Sequence, residues 1–126
     1  MKTWLLVFLG GGIGSLSRYL LSRWITSSVV SVFPYGTFVV NITGSFLIGF
    51  FLFYFSDVRF GTDSLPWRLF LIAGICGGYT TFSAFSAENI LLLANNQFFT
   101  FLTYTFGSLA LGLLATYSGI LLAKAI

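Results

Sequence analysis

The sequence predicts an all-α integral membrane protein with four transmembrane helices, the third of them broken near mid-membrane. Hydrophobic residues make up 57% of the chain and charged residues only 7%, and the mean hydropathy is +0.97. The charges leave four uncharged windows, and each window with its flanks supplies the roughly 20 apolar residues that one span needs. These windows are Thr3–Ser17, Trp24–Ser56, Leu69–Ala87 and Asn89–Ala123.

The four spans follow from these windows and from the loops between them. We predict them at about 4–24, 36–55, 67–93 and 98–123. Together they form a single membrane domain, 1–126. Tryptophan and tyrosine residues near the predicted ends fit an aromatic belt at the two membrane surfaces.

The N-terminal apolar stretch raises the question of a cleaved signal peptide. Glycines at 10–14 interrupt the apolar run, no A-x-A-like cleavage site follows it, and Arg18 stands where the cleavage region would be. We therefore expect this stretch to be the first span.

The third span contains a segment, 77–86, that makes a poor lipid-facing helix. The adjacent glycines Gly77 and Gly78 are followed by four hydroxyl side chains. Glycine costs about 1 kcal/mol in a helix interior, and serine and threonine compete for backbone hydrogen bonds. Irregular backbone at membrane depth survives only inside protein or beside a water-filled cavity, and such breaks mark ion or substrate sites. We predict a break near 77–80 and expect the function there.

Two other spans carry polar stripes with a four-residue spacing, so each stripe occupies one helix face. The stripes are Thr37, Asn41 and Ser45 in the second span, and Tyr104, Ser108, Gly112 and Thr116 in the fourth. An asparagine amide can donate to an anion, and a column of hydroxyls can replace the lost water of an ion. Hydrogen bonding between helices explains the second-span stripe equally well, and packing through small residues is the favoured explanation of the fourth-span stripe when it is taken alone.

Phe82 and Phe85 lie on one face of the second half of the third span. Lipid contact or core packing is the ordinary role of such residues, but the positive edge of a phenyl ring can also meet an anion. The break adds carbonyl groups that suit a cation and N–H groups that suit an anion. Glu88 is a functional candidate because it lies near membrane depth, and Arg18 is its candidate partner, either within one subunit or across a dimer. Exposure of Glu88 at the membrane surface is the alternative.

Composition excludes several classes of function. The net charge of +3 comes from six scattered basic residues, which argues against a nucleic-acid partner. The chain has no histidine and three acidic residues, so an enzyme would lack the commonest general base and metal ligand. The single cysteine excludes an internal disulfide.

The basic residues favour one membrane side only weakly. Lys2, Arg59, Arg68 and Lys124 fall on one predicted side, and Arg18 and Arg23 fall on the other. Such a chain can insert in both orientations and pair as an antiparallel, dual-topology homodimer. An oligomer is also expected because four helices leave little room for a shielded pore. Small residues four apart would let helices approach closely, within one chain or between two.

Three motifs resemble those of the Fluc (CrcB) family of fluoride channels, and the resemblance extends over the whole chain. They are Gly-Gly-x-Gly-x-x-x-Arg-Tyr at 11–19, Gly-Thr-x-x-Val-Asn-x-x-Gly-Ser-Phe at 36–46 and Gly-Gly-x-Thr-Thr-Phe-Ser-x-Phe-Ser-x-Glu at 77–88. The third motif is highly specific. The resemblance implies a passive fluoride-selective channel that exports toxic fluoride from the cytoplasm across the bacterial inner membrane.

The same resemblance implies an antiparallel dimer in lipid, with two fluoride pores lined by both subunits. The residues assigned to the pore are Phe82 and Phe85 through ring edges, Asn41 through its amide, and Tyr104, Ser108, Thr37 and Ser83 through hydroxyls. Arg18 would lie at the aqueous vestibule. A structural Na⁺ at the dimer centre would be held by the carbonyls of Gly77 and Thr80. Gly112 departs from the pattern, since a hydroxyl sometimes extends the fourth-span track there.

The main alternative is a small four-helix, dual-topology, proton-coupled multidrug transporter. Such a transporter needs a membrane-embedded acid in the first span, and this span has none. A non-conducting membrane assembly subunit, whose polar stripes serve only for packing, is the second alternative.

Overall fold

Helices account for most of the chain in the computed structural model, which describes residues 2–126. The α-helices are α1 Thr3–Ser28, α2 Tyr35–Tyr54, α3 Asp57–Phe60, α4 Leu65–Arg68, α5 Gly77–Tyr79, α6 Phe82–Ala94 and α7 Phe98–Ala125. A 3₁₀ turn occupies Gly61–Ser64, and π-helical turns occupy Leu69–Cys76. No strand occurs between residues 2 and 126, so the prediction of an all-α protein is confirmed.

Three helical stretches are long and apolar enough to cross a membrane. They are Thr3–Ser28, Tyr35–Ala94 and Phe98–Ala125. Only 11–17% of the residues in their apolar windows are buried in the protein, and large side chains such as Phe99 and Leu113 are exposed. Because water does not tolerate so much exposed apolar surface, these helices identify a multi-pass membrane protein.

The middle stretch is interrupted twice and is not one helix. It has 60 residues, which at about 1.5 Å per residue is roughly three times the thickness of a bilayer core. A turn at 55–56 ends α2, and an extended step at 80–81 divides the remaining part of the stretch. We call residues 65–79 the first half-helix and α6 the second half-helix.

Glycine contacts pack α2 and α7 side by side in the same direction. A Cβ on Gly107 would lie 3.9 Å from the Phe38 ring, and further along both helices Gly49 fits against the carbonyl of Thr116. Residue numbers rise together along the two helices, so the pair is parallel.

The first half-helix packs against α1 in the same parallel manner. A Cβ on Gly10 would lie 2.9 Å from the Cα of Gly74, and one on Gly78 would overlap the carbonyl oxygen of Gly11. These glycines therefore serve packing inside one chain, which is one of the two roles that their spacing allows.

The break in the third span lies at Thr80 and Thr81. Thr80 has φ −81° and ψ 155°, and Thr81 has φ −148° and ψ 116°. Gly77 and Gly78 are still helical, so the break comes at the end of the predicted interval 77–80. The glycine at 78 is required by the approach of α1, and the threonines form the break.

The loop between α2 and the first half-helix is fixed by charged side chains. Arg68 forms an ion pair with Asp57 at 3.0 Å, and Ser64 donates to the same carboxylate oxygen at 3.3 Å. Arg59 donates to the carbonyl of Ala123 at 3.0 Å. This loop therefore joins the end of α2 to the end of α7.

Candidate functional site

Asn41 of α2 holds the helix break through both ends of its side-chain amide. Its Nδ2 donates to the carbonyl of Thr81 at 3.1 Å, and its Oδ1 accepts from the Thr81 N–H at 2.8 Å. Extended backbone at membrane depth needs such partners because lipid supplies none. An asparagine amide has two N–H donors, so one remains beyond these bonds.

At the break, two backbone N–H groups donate to side chains and not to the carbonyls of Gly77 and Thr80, which would accept them in a continuous helix. In an α-helix Gly77 O would accept from Thr81 N, and Thr80 O would accept from Ala84 N. Here Thr81 N donates to Asn41, and Ala84 N donates to the Thr81 hydroxyl at 3.2 Å. Both carbonyls predicted to bind Na⁺ thus lose their helical donors.

Backbone oxygen is also the ligand type that the chain offers for a metal ion. Between residues 2 and 126 no group of three or more histidine, cysteine, aspartate or glutamate residues could hold a metal. Hard cations such as Na⁺ accept carbonyl oxygens as ligands. The carbonyls of Gly77 and Thr80 fit such an ion.

Arg18 of α1 contacts the first half-helix just before the break. Its Nε donates to the carbonyl of Gly78 at 3.1 Å, and Ser15 donates to the same oxygen at 3.4 Å. Arg18 also lines an open cleft of about 480 Å³ together with Arg23 and Glu88. Because this cleft is open and lined by charged side chains, it can admit water and ions. The vestibule role of Arg18 stays a prediction.

A second cleft, of about 300 Å³, collects most of the predicted pore residues beside the break. We call it the break cavity. Its lining comprises Asn41, Ser45, Ile48, Thr80, Thr81, Phe82, Phe85, Ser108 and Leu109. They come from α2, the break, the second half-helix and α7, so the fold brings both polar stripes to the broken span.

The phenylalanine rings take different environments in this cavity. Phe82 is 79% exposed, whereas Phe85 is half-buried and its ring centroid lies 5.1 Å from that of Tyr104. The Phe82 and Phe85 centroids are 5.8 Å apart. Phe85 is therefore held by its own chain, and Phe82 projects beyond it.

Glu88 binds two of the predicted pore hydroxyls. Thr37 donates to Oε1 and Tyr104 to Oε2, both at 2.6 Å, and Tyr104 is fully buried. Within residues 2–126 the ion pair is that of Arg68 with Asp57, so the expected pairing of Glu88 with Arg18 does not form inside one chain.

The Glu88 contacts were not found from the sequence. A carboxylate near membrane depth needs hydrogen-bond donors, and the hydroxyls of Thr37 and Tyr104 already stood out in the polar stripes. Spacing assigned a face to each stripe but did not say which donors face Glu88. The neighbouring bond from Thr105 to Asn89, at 3.0 Å, repeats this link between the second half-helix and α7.

The two remaining predicted serines differ in their surroundings. The hydroxyl of Ser108 is buried and has no hydrogen-bond partner within residues 2–126, and it lies in the wall of the break cavity. The hydroxyl of Ser83 lies 3.2 Å from that of Thr81, in an exposed position. The structure thus brings Ser108, and not Ser83, into the lining of the cavity.

Comparison with known proteins gives a consistent set of relatives. A family model described as "CrcB-like protein, Camphor Resistance (CrcB)" matches residues 5–120. The chain is 49% identical to a protein of Flavobacterium psychrophilum over 98% of both chains. It is 46% identical to one of Phocaeicola vulgatus over 98% of this chain and 100% of that one. It is 47% identical to one of Rhizobium meliloti over 96% and 95%. Each relative is named a fluoride-specific ion channel, FluC.

Proposed function

The chain belongs to the CrcB-like protein family, and we propose that it is a passive fluoride-selective ion channel that exports toxic fluoride from the bacterial cytoplasm across the inner membrane. The observation that carries this proposal is the break cavity. An amide, a buried hydroxyl without a partner and two phenyl rings line one space at a broken helix. The names of the relatives supply the identity of the ion.

The chemistry of the cavity suits a small anion that must exchange its water. The remaining N–H of Asn41 and the hydroxyl of Ser108 can donate to fluoride, and the edges of Phe82 and Phe85 carry partial positive charge. No lysine or arginine belongs to the lining. Several weak contacts allow fluoride to enter and also to leave, whereas one strong cationic site would retain it.

The vestibule supplies the attraction that the cavity lacks. Arg18 and Arg23 line the open cleft next to the break, and a local positive charge raises the concentration of anions at an entrance. Glu88 lines the same cleft, but its two carboxylate oxygens accept hydrogen bonds from the hydroxyls of Thr37 and Tyr104. We propose that Arg18 draws fluoride in and that Asn41 receives it.

Four membrane crossings are the arrangement that the packing supports. α1 and the first half-helix are parallel, as are α2 and α7. α1 and α2 run in opposite directions, because Ser22 and Thr26 in the last turns of α1 meet Gly36 at the start of α2. The four successive spans, which are α1, α2, the broken third span and α7, therefore alternate in direction.

We further propose an antiparallel, dual-topology homodimer with two pores. Its support is the incomplete enclosure of the cavity in one chain: Phe82 is 79% exposed, and a conducting path must be shielded from lipid. A second copy would close the cavity. The weak bias of the basic residues removes an obstacle to opposite insertion.

A structural Na⁺ at the centre of that dimer completes the proposal. The carbonyls of Gly77 and Thr80 are available because their helical donors are redirected. Two chains would contribute both pairs to one ion, which would fix the break in both subunits. The ion would then stabilise the dimer without moving.

Export can be tested in bacteria that lack their own fluoride channel. Cells expressing the chain should accumulate less fluoride and grow in fluoride concentrations that stop cells with an empty vector. Cells whose fluoride content and growth match the empty vector would contradict the proposal. Resistance to cationic drugs in place of fluoride would favour the multidrug transporter, which needs an acid that α1 does not contain.

A further inference from the structure

Ser45 occupies the level of the break cavity where α7 has no side chain. A Cβ added to Gly112 would lie 3.7 Å from the hydroxyl oxygen of Ser45. Ser45 and Ser108 both line the break cavity. Since α2 and α7 are parallel, Ser45 lies one turn beyond Asn41 and Gly112 lies one turn beyond Ser108. The hydroxyl at this level therefore comes from α2.

Several other hydroxyls of these two helices are already bonded, either to their own backbone or, as with Thr37 and Tyr104, to a side chain of the second half-helix. Thr43 donates to the carbonyl of Val39 at 2.8 Å, and Thr116 donates to that of Gly112 at 3.0 Å. Such bonds occupy the proton that an anion would need. Ser108 differs, because its buried oxygen has no partner within residues 2–126. A buried hydroxyl without a partner costs free energy, so Ser108 is expected to find a partner outside its own chain, such as water or an ion in the cavity beside it.

We propose that Ser45 is a pore-lining residue that binds fluoride together with Ser108, on the step after Asn41. This inference rests on the proposed channel function and extends the polar path from α7 to α2. The two serine hydroxyls approach from different helices, and each can rotate to donate one hydrogen bond. Fluoride leaving the Asn41 amide would then exchange one donor for two.

The test compares fluoride efflux from liposomes for four forms of the chain. Ser45→Ala should lower efflux by about tenfold, since it removes one donor from a desolvated ion. Gly112→Ser in the Ser45→Ala background should restore most of the loss, because it returns a hydroxyl to the same level from α7. Ser118→Ala is the matched control, since the Ser118 hydroxyl is exposed and bonded to Leu114.

Each outcome decides the inference. Wild-type efflux with Ser45→Ala would overturn it, and so would a loss that Gly112→Ser does not restore. Restored efflux cannot come from a misfolded chain, so the double variant separates a missing donor from a damaged fold. If the wild-type chain itself releases no fluoride, the proposed channel function fails, and that result is distinct from wild-type conduction that ignores Ser45.

Discussion

Asn41 and Thr81 are joined by two hydrogen bonds, one from the Asn41 amide to the Thr81 carbonyl at 3.1 Å and one from the Thr81 N–H to the Asn41 oxygen at 2.8 Å. One side chain thereby satisfies both backbone groups of a residue in the break. The same amide lines the break cavity. Asn41 consequently links the integrity of the break to the chemistry of the cavity.

Asn41→Asp should abolish fluoride efflux or lower it at least about tenfold. The carboxylate cannot donate to Thr81 O and places a negative charge where fluoride would bind. Efflux from liposomes measures the loss. Asn95→Asp is the control, because Asn95 is exposed and bonds only to the nearby carbonyl of Leu91. Equal efflux in the two variants would remove the Asn41 amide from the mechanism.

Phe82→Ile should also cripple conduction while the dimer persists. Isoleucine keeps apolar bulk but has no ring edge with positive charge. Phe99→Ile is a suitable comparison, since Phe99 is 82% exposed and lies outside the lining of the break cavity. Size-exclusion chromatography reports the oligomer and liposome efflux reports conduction. Normal efflux with Phe82→Ile would leave lipid contact as the role of this ring.

Tyr104→Phe should lower the free energy of unfolding by about 1–3 kcal/mol, because it removes a hydrogen bond to the part-buried carboxylate of Glu88. Denaturation in mixed detergent micelles measures the change. Tyr117→Phe removes the same atom from an exposed tyrosine and should change stability by less than about 0.5 kcal/mol. Indistinguishable values would mean that the Tyr104–Glu88 bond does not stabilise the fold.

Gly78→Ala should destabilise the chain by about 1–3 kcal/mol, because the new methyl group would overlap the Gly11 carbonyl on α1. Gly107→Ala provides the comparison: its Cβ would find its nearest neighbour at 3.9 Å, an ordinary contact. Thermal unfolding in detergent distinguishes the two. A Gly78→Ala chain as stable as the wild type would show that α1 and the first half-helix can separate without penalty.

Removal of sodium should stop conduction and lower the melting temperature. The carbonyls of Gly77 and Thr80 would lose the cation that compensates for their missing donors. The measurement exchanges Na⁺ for N-methyl-D-glucamine in every buffer and follows efflux and melting, with sodium returned as the control. Full efflux and unchanged melting without sodium would exclude a structural Na⁺.

The sequence predicted the membrane class and the position of the break because both depend on composition along the chain. Uncharged windows show where an apolar span can lie, and hydroxyls after paired glycines disfavour continuous helix. The hydrogen-bond partners of individual side chains could not be predicted in this way, since they depend on where the other helices lie. Spacing placed Thr37, Tyr104 and Asn41 on helix faces, but only the packing of the second half-helix shows that Glu88 binds the first two and Thr81 the third. Likewise, Gly78 resembled a helix breaker and is a packing residue.

Passive, selective conduction of fluoride can be measured directly in liposomes. Liposomes containing the purified protein are loaded with potassium fluoride, a potassium ionophore is added, and an electrode follows fluoride release; matched vesicles carry potassium chloride. We predict fast fluoride release that requires the ionophore, with little release of chloride. Fluoride release no faster than from protein-free vesicles would rule out a fluoride channel, and equal release of chloride would rule out selectivity for fluoride.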